Sequence, residues 1–196
     1  IKISMKIAFV HYHLKTGGVT TVLKHQIAAL DDACDLFVLT GDRAAMQLPC
    51  AVEEIPGLGY DRPGQPLLPA ERVAEQVRRA LHRKWSGGCD ILHIHNPTLA
   101  KNRRFLEVIQ HLQHLGITLF LQIHDLAEDG RPQVYFDEPY PKDCHYGVIN
   151  RRDEAILKAA GLDDSGLHHL PNAVRVMPVG ANRQQMKQVL YPVRAI

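Results

Sequence analysis

The sequence predicts an α/β domain: a Rossmann-like, doubly wound, mainly parallel sheet with helices on both faces. Short apolar runs of strand length alternate with segments of helical spacing, the pattern of successive βαβ units. Several of the runs are apolar at consecutive positions, as central strands covered on both faces must be. The 196 residues, 45% hydrophobic and 22% charged, suffice for one soluble domain with a buried core.

Residues 1–4 precede Met5 and read as upstream sequence outside the domain. Residues 5–11 (MKIAFVH) make the first strand, and Thr16-Gly17-Gly18 a turn. Val19, Val22, Leu23, Ile27 and Leu30 then share one stripe of a helix. Residues 35–39 (DLFVL) form a second strand, ended by Thr40-Gly41-Asp42, and 51–55 a third, edge-like one. The Gly- and Pro-rich stretch 56–69 is a long loop of the kind that often carries function. A helix over 70–85 has Val73, Val77 and Leu81 on one face. Strand 90–95 (DILHIH), helix 101–115 closed by Gly116, and strand 117–123 (ITLFLQI) follow. Residues 129–146 lack periodicity and form a second long loop. Strand 146–150, helix 152–160 ended by Gly161, and strand 167–170 complete the domain. Val189–Val193 has the look of a further strand.

Composition excludes several classes. The net charge of +2 is too small for a nucleic-acid or anionic-membrane surface. No window approaches the roughly 20 apolar residues that span a bilayer. Cys34, Cys50, Cys89 and Cys144 are widely spaced, which suggests reduced cytosolic thiols rather than a zinc site or disulfide framework.

In a doubly wound sheet the ligand sits in the crevice at the carboxyl ends of the strands, so residues there carry the weight. Gly17 and Gly18 lie between the first strand and its helix, where free backbone N–H groups and the positive dipole end suit a phosphate. The pattern is neither G-x-G-x-x-G nor a Walker A loop, and a plain tight turn is the other reading. His11 and His13 form one His-x-His pair; His93 and His95 form another, followed by Asn96. Residues two apart on a strand share a face, so each pair could meet one ligand. Carboxylates at metal-ligand spacing are missing, so no metal is expected. His124-Asp125 ends an apolar strand and supplies an imidazole for hydrogen bonding or proton transfer, with a carboxylate to orient it. Asn150-Arg151-Arg152 ends another; it suits polyol and phosphate contacts, or a helix cap at Asn150.

Taken in order, these segments resemble glycosyltransferase family 4, whose members have the two-domain GT-B fold. The resemblance runs over nearly the whole chain. It is carried by Lys6–Val10 with Gly17-Gly18-Val19, by Asp90–Asn96, by Ile123–Leu126, by Val148–Asn150, by Leu170–Val174 (with Ala173 where glycine is usual) and by Tyr191–Arg194. It implies a retaining transferase using a nucleotide-sugar co-substrate, with no metal or other cofactor. Residues 5–188 would be the amino-terminal, acceptor-side domain, and 189–196 the start of a carboxyl-terminal domain holding most of the nucleotide. By resemblance, His124 and Asp125 are catalytic; Gly17, Gly18, Asn150 and Arg194 bind the donor; His13, His95 and Asn96 bind a sugar or lipid-linked acceptor. The implied partners are the donor, the acceptor and the remaining domain, without nucleic acid. The implied place is the cytoplasm, with room for peripheral contact at the inner membrane face. With half the machinery beyond this chain, the chain alone is expected to be inactive. A metal-dependent hydrolase using the His-x-His pairs and a non-catalytic binding module are the competing readings. The first suits a (β/α)₈ barrel, typically of ~250 residues, better than this chain.

Overall fold

A computed structural model describes residues 4–42, 46–126, 132–135 and 141–172. Residues 1–3, Ala173-Val174, the strand expected at Val189–Val193, Arg194 and the 189–196 domain start lie outside the described residues, as do 129–131 and 136–140 of the 129–146 loop.

The elements run β1 (Met5–His11), α1 (Gly18–Leu30), β2 (Cys34–Thr40), β3 (Ala51–Glu54), α2 (Ala70–Lys84), β4 (Ile91–His95), α3 (Phe105–His114), β5 (Leu119–Ile123), β6 (His145–Val148), α4 (Arg151–Ala159) and β7 (Leu167–His169). The strands form one sheet in the order β3-β2-β1-β4-β5-β6-β7, every pairing parallel. The chain winds outward from β1 in one direction and then from β4 in the other. The order therefore reverses between these two central strands, which is where such sheets open a crevice.

Alternation divides the side chains into two layers. Leu23 and Ile27 of α1 pack on Ile7, Phe9, Leu36 and Val38. On the opposite face, α2, α3 and α4 cover Ala8, Val10, Leu39, Leu92, Ile94, Leu121 and Val148. The predicted architecture, helices on both faces of a parallel sheet, is the one observed.

One boundary is corrected. The helix expected from residue 101 begins at Phe105. Asn102 breaks the first turn: its amide donates to the carbonyls of Gly57 and Gly59, both at 2.8 Å, while its Oδ1 accepts from the Arg104 N–H at 3.1 Å. An asparagine that bonds its own neighbouring backbone competes with the helix ladder. Gly116 and Gly161 close α3 and α4 at φ of 75° and 84°, as their positions suggested. The loop starting at Pro56 opens with a 3-10 turn, Pro56–Leu58. All four cysteines are free. Among the described residues, no helix is long and apolar enough to cross a membrane.

Candidate functional site

The parallel sheet puts the carboxyl ends of β1, β4, β5 and β6 on one rim, so Gly17, His95, His124 and Asn150 all follow strand ends on that rim. At the crevice between β1 and β4 the rim is made of histidines. His93 and His95 point to the α1 side and stack with ring centroids 4.7 Å apart and an interplanar angle of 13°. His95 stacks in turn on His124 at 5.3 Å, meets His11 edge-on at 6.0 Å, and lies against Phe9. His11 is 5.2 Å from His13, whose ring meets the edge of Tyr60 at 5.2 Å.

Hydrogen bonds tie this stack together. His95 Nδ1 and His124 Nε2 are 3.0 Å apart. His93 Nε2 lies 2.9 Å from Gln122 Oε1, which also accepts from Gln26 Nε2 of α1 at 2.8 Å. The Gln122 side-chain amide thus bridges His93 of β4 and Gln26 of α1.

Asn96 joins the two strand ends. It is 4% exposed and holds a left-handed backbone, φ 53°, which asparagine tolerates better than most residues. Its Oδ1 accepts from the His124 backbone N–H at 3.0 Å, and its Nδ2 donates to Asp125 Oδ2 at 3.4 Å. Its own N–H donates to the Gln122 carbonyl at 2.8 Å, and its carbonyl accepts from the buried Tyr12 hydroxyl at 3.0 Å.

The stack is electrically neutral at physiological pH. Burial is the leading cause for each ring. It pushes His11 down to about 3, helped by His13 and His124, and His93 and His124 down to about 4. His95 is held well below the ordinary imidazole value, and His13 is lowered to a lesser degree. Neutral imidazoles act here as hydrogen-bonding groups with one donor and one acceptor nitrogen each. Among the described residues, no three His, Cys, Asp or Glu side chains are arranged to hold a metal ion.

The glycine turn flanks this stack. Gly17 caps α1 without a side-chain bond, and the first helical turn contains no acidic residue. A Cβ at Gly18 would meet nothing within 4 Å, and one at Gly17 only the Lys15 carbonyl at 3.9 Å. The space before the helix N-terminus is therefore open to a ligand, and packing does not demand glycine at Gly18.

Beside it lies a cavity of about 380 Å³ lined by Tyr12, His13, Lys15, Asp42, Tyr60 and Arg62, among others. Lys15 Nζ and Arg62 both contact Asp42 Oδ2, at 2.7 and 3.2 Å. His13 thus lines this cavity.

No protein-family model matches the chain. The chain is similar to mannosylglucosyl-3-phosphoglycerate synthase of Petrotoga mobilis, 26% identical over 188 residues, covering 84% of this chain and 36% of that protein. In structure it is similar to HepE of Anabaena, solved in complex with UDP-glucose. There the TM-score is 0.58 at 15% identity, over 95% of this chain and 50% of that one. The chain therefore spans between about a third and a half of the proteins it matches. The structural likeness carries the fold.

Other sequence-derived candidates are placed differently. Asn150 caps α4: its Oδ1 accepts from the Asp153 N–H at 2.9 Å, and its Nδ2 donates to Asp153 Oδ2, also at 2.9 Å. Its side chain is thus occupied by the helix, and no described contact joins it to the histidine stack. Tyr12, Gln122, Gln26 and Tyr60 had no role in the sequence reading. Gln122 left a signal, being the one amide within the apolar run 117–123. Tyr12 and Tyr60 left none, because their contacts depend on loops that only the fold brings together.

Proposed function

We propose that this chain is the acceptor-side, amino-terminal half of a retaining glycosyltransferase of family 4, on the two-domain GT-B plan. It would transfer a sugar from a nucleotide-sugar donor to a sugar or lipid-linked acceptor, in concert with a second domain that holds most of the donor. The observation that carries this reading is the joining of His95-Asn96 to His124-Asp125 at the point where the strand order reverses, beside an open glycine turn. Two likenesses support it: one relative makes a glycosylated 3-phosphoglycerate, and the structural neighbour binds UDP-glucose.

On this reading His124 contacts the transferred sugar, and Asp125 orients the turn that holds it. The α1 N-terminus with Gly17 and Gly18 approaches the donor diphosphate, where free N–H groups and the helix dipole stabilise charge that grows as the glycosidic bond breaks. Asn150 and Arg194 belong to the donor side and His13 to the acceptor side, while His95 and Asn96 stand behind His124. The chemistry uses no metal or other cofactor, and the protein works in the cytoplasm with peripheral contact at the membrane's inner face.

Titrating the whole protein with a panel of nucleotide sugars that includes UDP-glucose, and assaying transfer, tests this. One donor should bind, and His124→Ala should lower kcat by about 10²-fold or more with binding largely kept. The 196-residue chain alone should not turn over. Robust transfer by that chain would overturn its assignment as one half, and absence of binding to every nucleotide sugar would overturn the reading itself.

A further inference from the structure

We propose that His95 and Asn96 are positioning residues that present His124 to its ligand through Nδ1, with the proton on that nitrogen. The inference rests on the transferase reading for its ligand, an oxygen of the transferred sugar, but its tautomeric content does not depend on that reading.

His124 Nε2 is occupied by His95 Nδ1 at 3.0 Å, and the His124 backbone is pinned by Asn96 Oδ1 at 3.0 Å. Nδ1 is therefore the ring nitrogen that these contacts leave for a ligand. A bond between two neutral imidazoles needs one N–H and one lone pair, which allows two arrangements. The far end of His95 decides between them. Its Nε2 is fully buried and has no hydrogen-bonding partner among the described residues. A buried N–H without an acceptor is costly and rare, whereas an unfilled acceptor position is better tolerated. His95 thus keeps Nε2 bare and carries its proton on Nδ1. That proton is donated to His124 Nε2, so His124 must carry its own proton on Nδ1.

The consequence is chemical. His124 offers the ligand a hydrogen-bond donor; it cannot accept a proton there without first losing one. Its task is to hold and polarise an oxygen of the sugar rather than to act as a base.

Long-range ¹H–¹⁵N spectra of the whole protein, ¹⁵N-labelled at histidine and recorded at pH 7, read the tautomers directly. His95 and His124 should show the Nδ1–H pattern. A proton on Nε2 of His124 overturns the proposal. His95→Asn sets an amide N–H near the place of Nδ1–H, and should keep the Nδ1–H tautomer of His124. His95→Phe removes the donor; it should shift His124 toward Nε2–H and lower kcat at least tenfold, with donor affinity unchanged. An unchanged tautomer and kcat in His95→Phe also overturns it. If both variants fail to fold, the wild-type spectrum alone decides. If no nucleotide sugar binds, the transferase reading falls while the spectrum still decides the tautomer.

Discussion

The two faces of β4 bury their side chains to the same depth by opposite means. Leu92 and Ile94 turn toward α2 and α3 and enter a continuous hydrocarbon layer. His93 and His95, each one residue further on, turn toward α1 and carry ring nitrogens into an equally closed space, at 8% and 0% exposure. The first face needs only volume and apolar surface. The second buries polar nitrogens, and it leaves His11 Nδ1, His13 Nδ1, His95 Nε2 and Gln122 Nε2 without partners among the described residues. One strand thus packs the core with one face and arrays a hydrogen-bonded histidine stack on the other.

Substitution on each face should break this contrast if it is wrong. Leu92→Ala removes most of a fully buried side chain and should cost about 2–5 kcal/mol in urea unfolding. His95→Phe keeps an aromatic ring in the stack and should cost less than about 1.5 kcal/mol, near the limit for shape-conserving exchanges. Equal losses would show that the histidine face is as structural as the other.

Acid should strike only the histidine face. A ring whose folded value lies below its unfolded value contributes stability that is present above about 6.5 and lost as pH falls toward the folded value. For His93, lowered to about 4, the loss is on the order of 3 kcal/mol by pH 4. Thermal unfolding between pH 7 and 4 should show this fall, and His93→Phe should flatten it. A slope unchanged in that variant would place the acid sensitivity elsewhere.

Smaller effects lie away from the crevice. Asn150→Ala deletes the α4 cap and should cost about 1 kcal/mol. If Asn150 also serves the donor, affinity for the nucleotide sugar will fall as well; calorimetry with the same variant separates the two. Glu107→Gln breaks an exposed pair with Arg104 and should change stability by less than about 0.5 kcal/mol.

The architecture was legible because the apolar runs are short, regularly spaced and apolar at consecutive positions, and those properties are local. The rim was legible for the same reason: a strand end is a position in sequence, so His95, His124 and Asn150 could be located there. Which of them touch was not legible. The bonds from Asn96 to His124 and Asp125 span 28 and 29 residues and depend on β4 and β5 being neighbours in register. The start of α3 was misjudged because Asn102 is committed to Gly57 and Gly59, some 45 and 43 residues back. A helix boundary set by a distant loop leaves no local trace.

That distant loop has a mechanical role. Gly41 and Gly59 approach so closely that a Cβ on Gly41 would fall 1.9 Å from the Gly59 nitrogen. The Asp61 N–H donates to the Lys101 carbonyl at 2.8 Å, so the segment is clasped from both sides. Tyr60 and Arg62 therefore stand on a braced shelf continuous with the end of β2, not on a flap. Any molecule entering the cavity beside His13 would meet a wall already in place, and a side chain larger than hydrogen at Gly41 would unseat that wall.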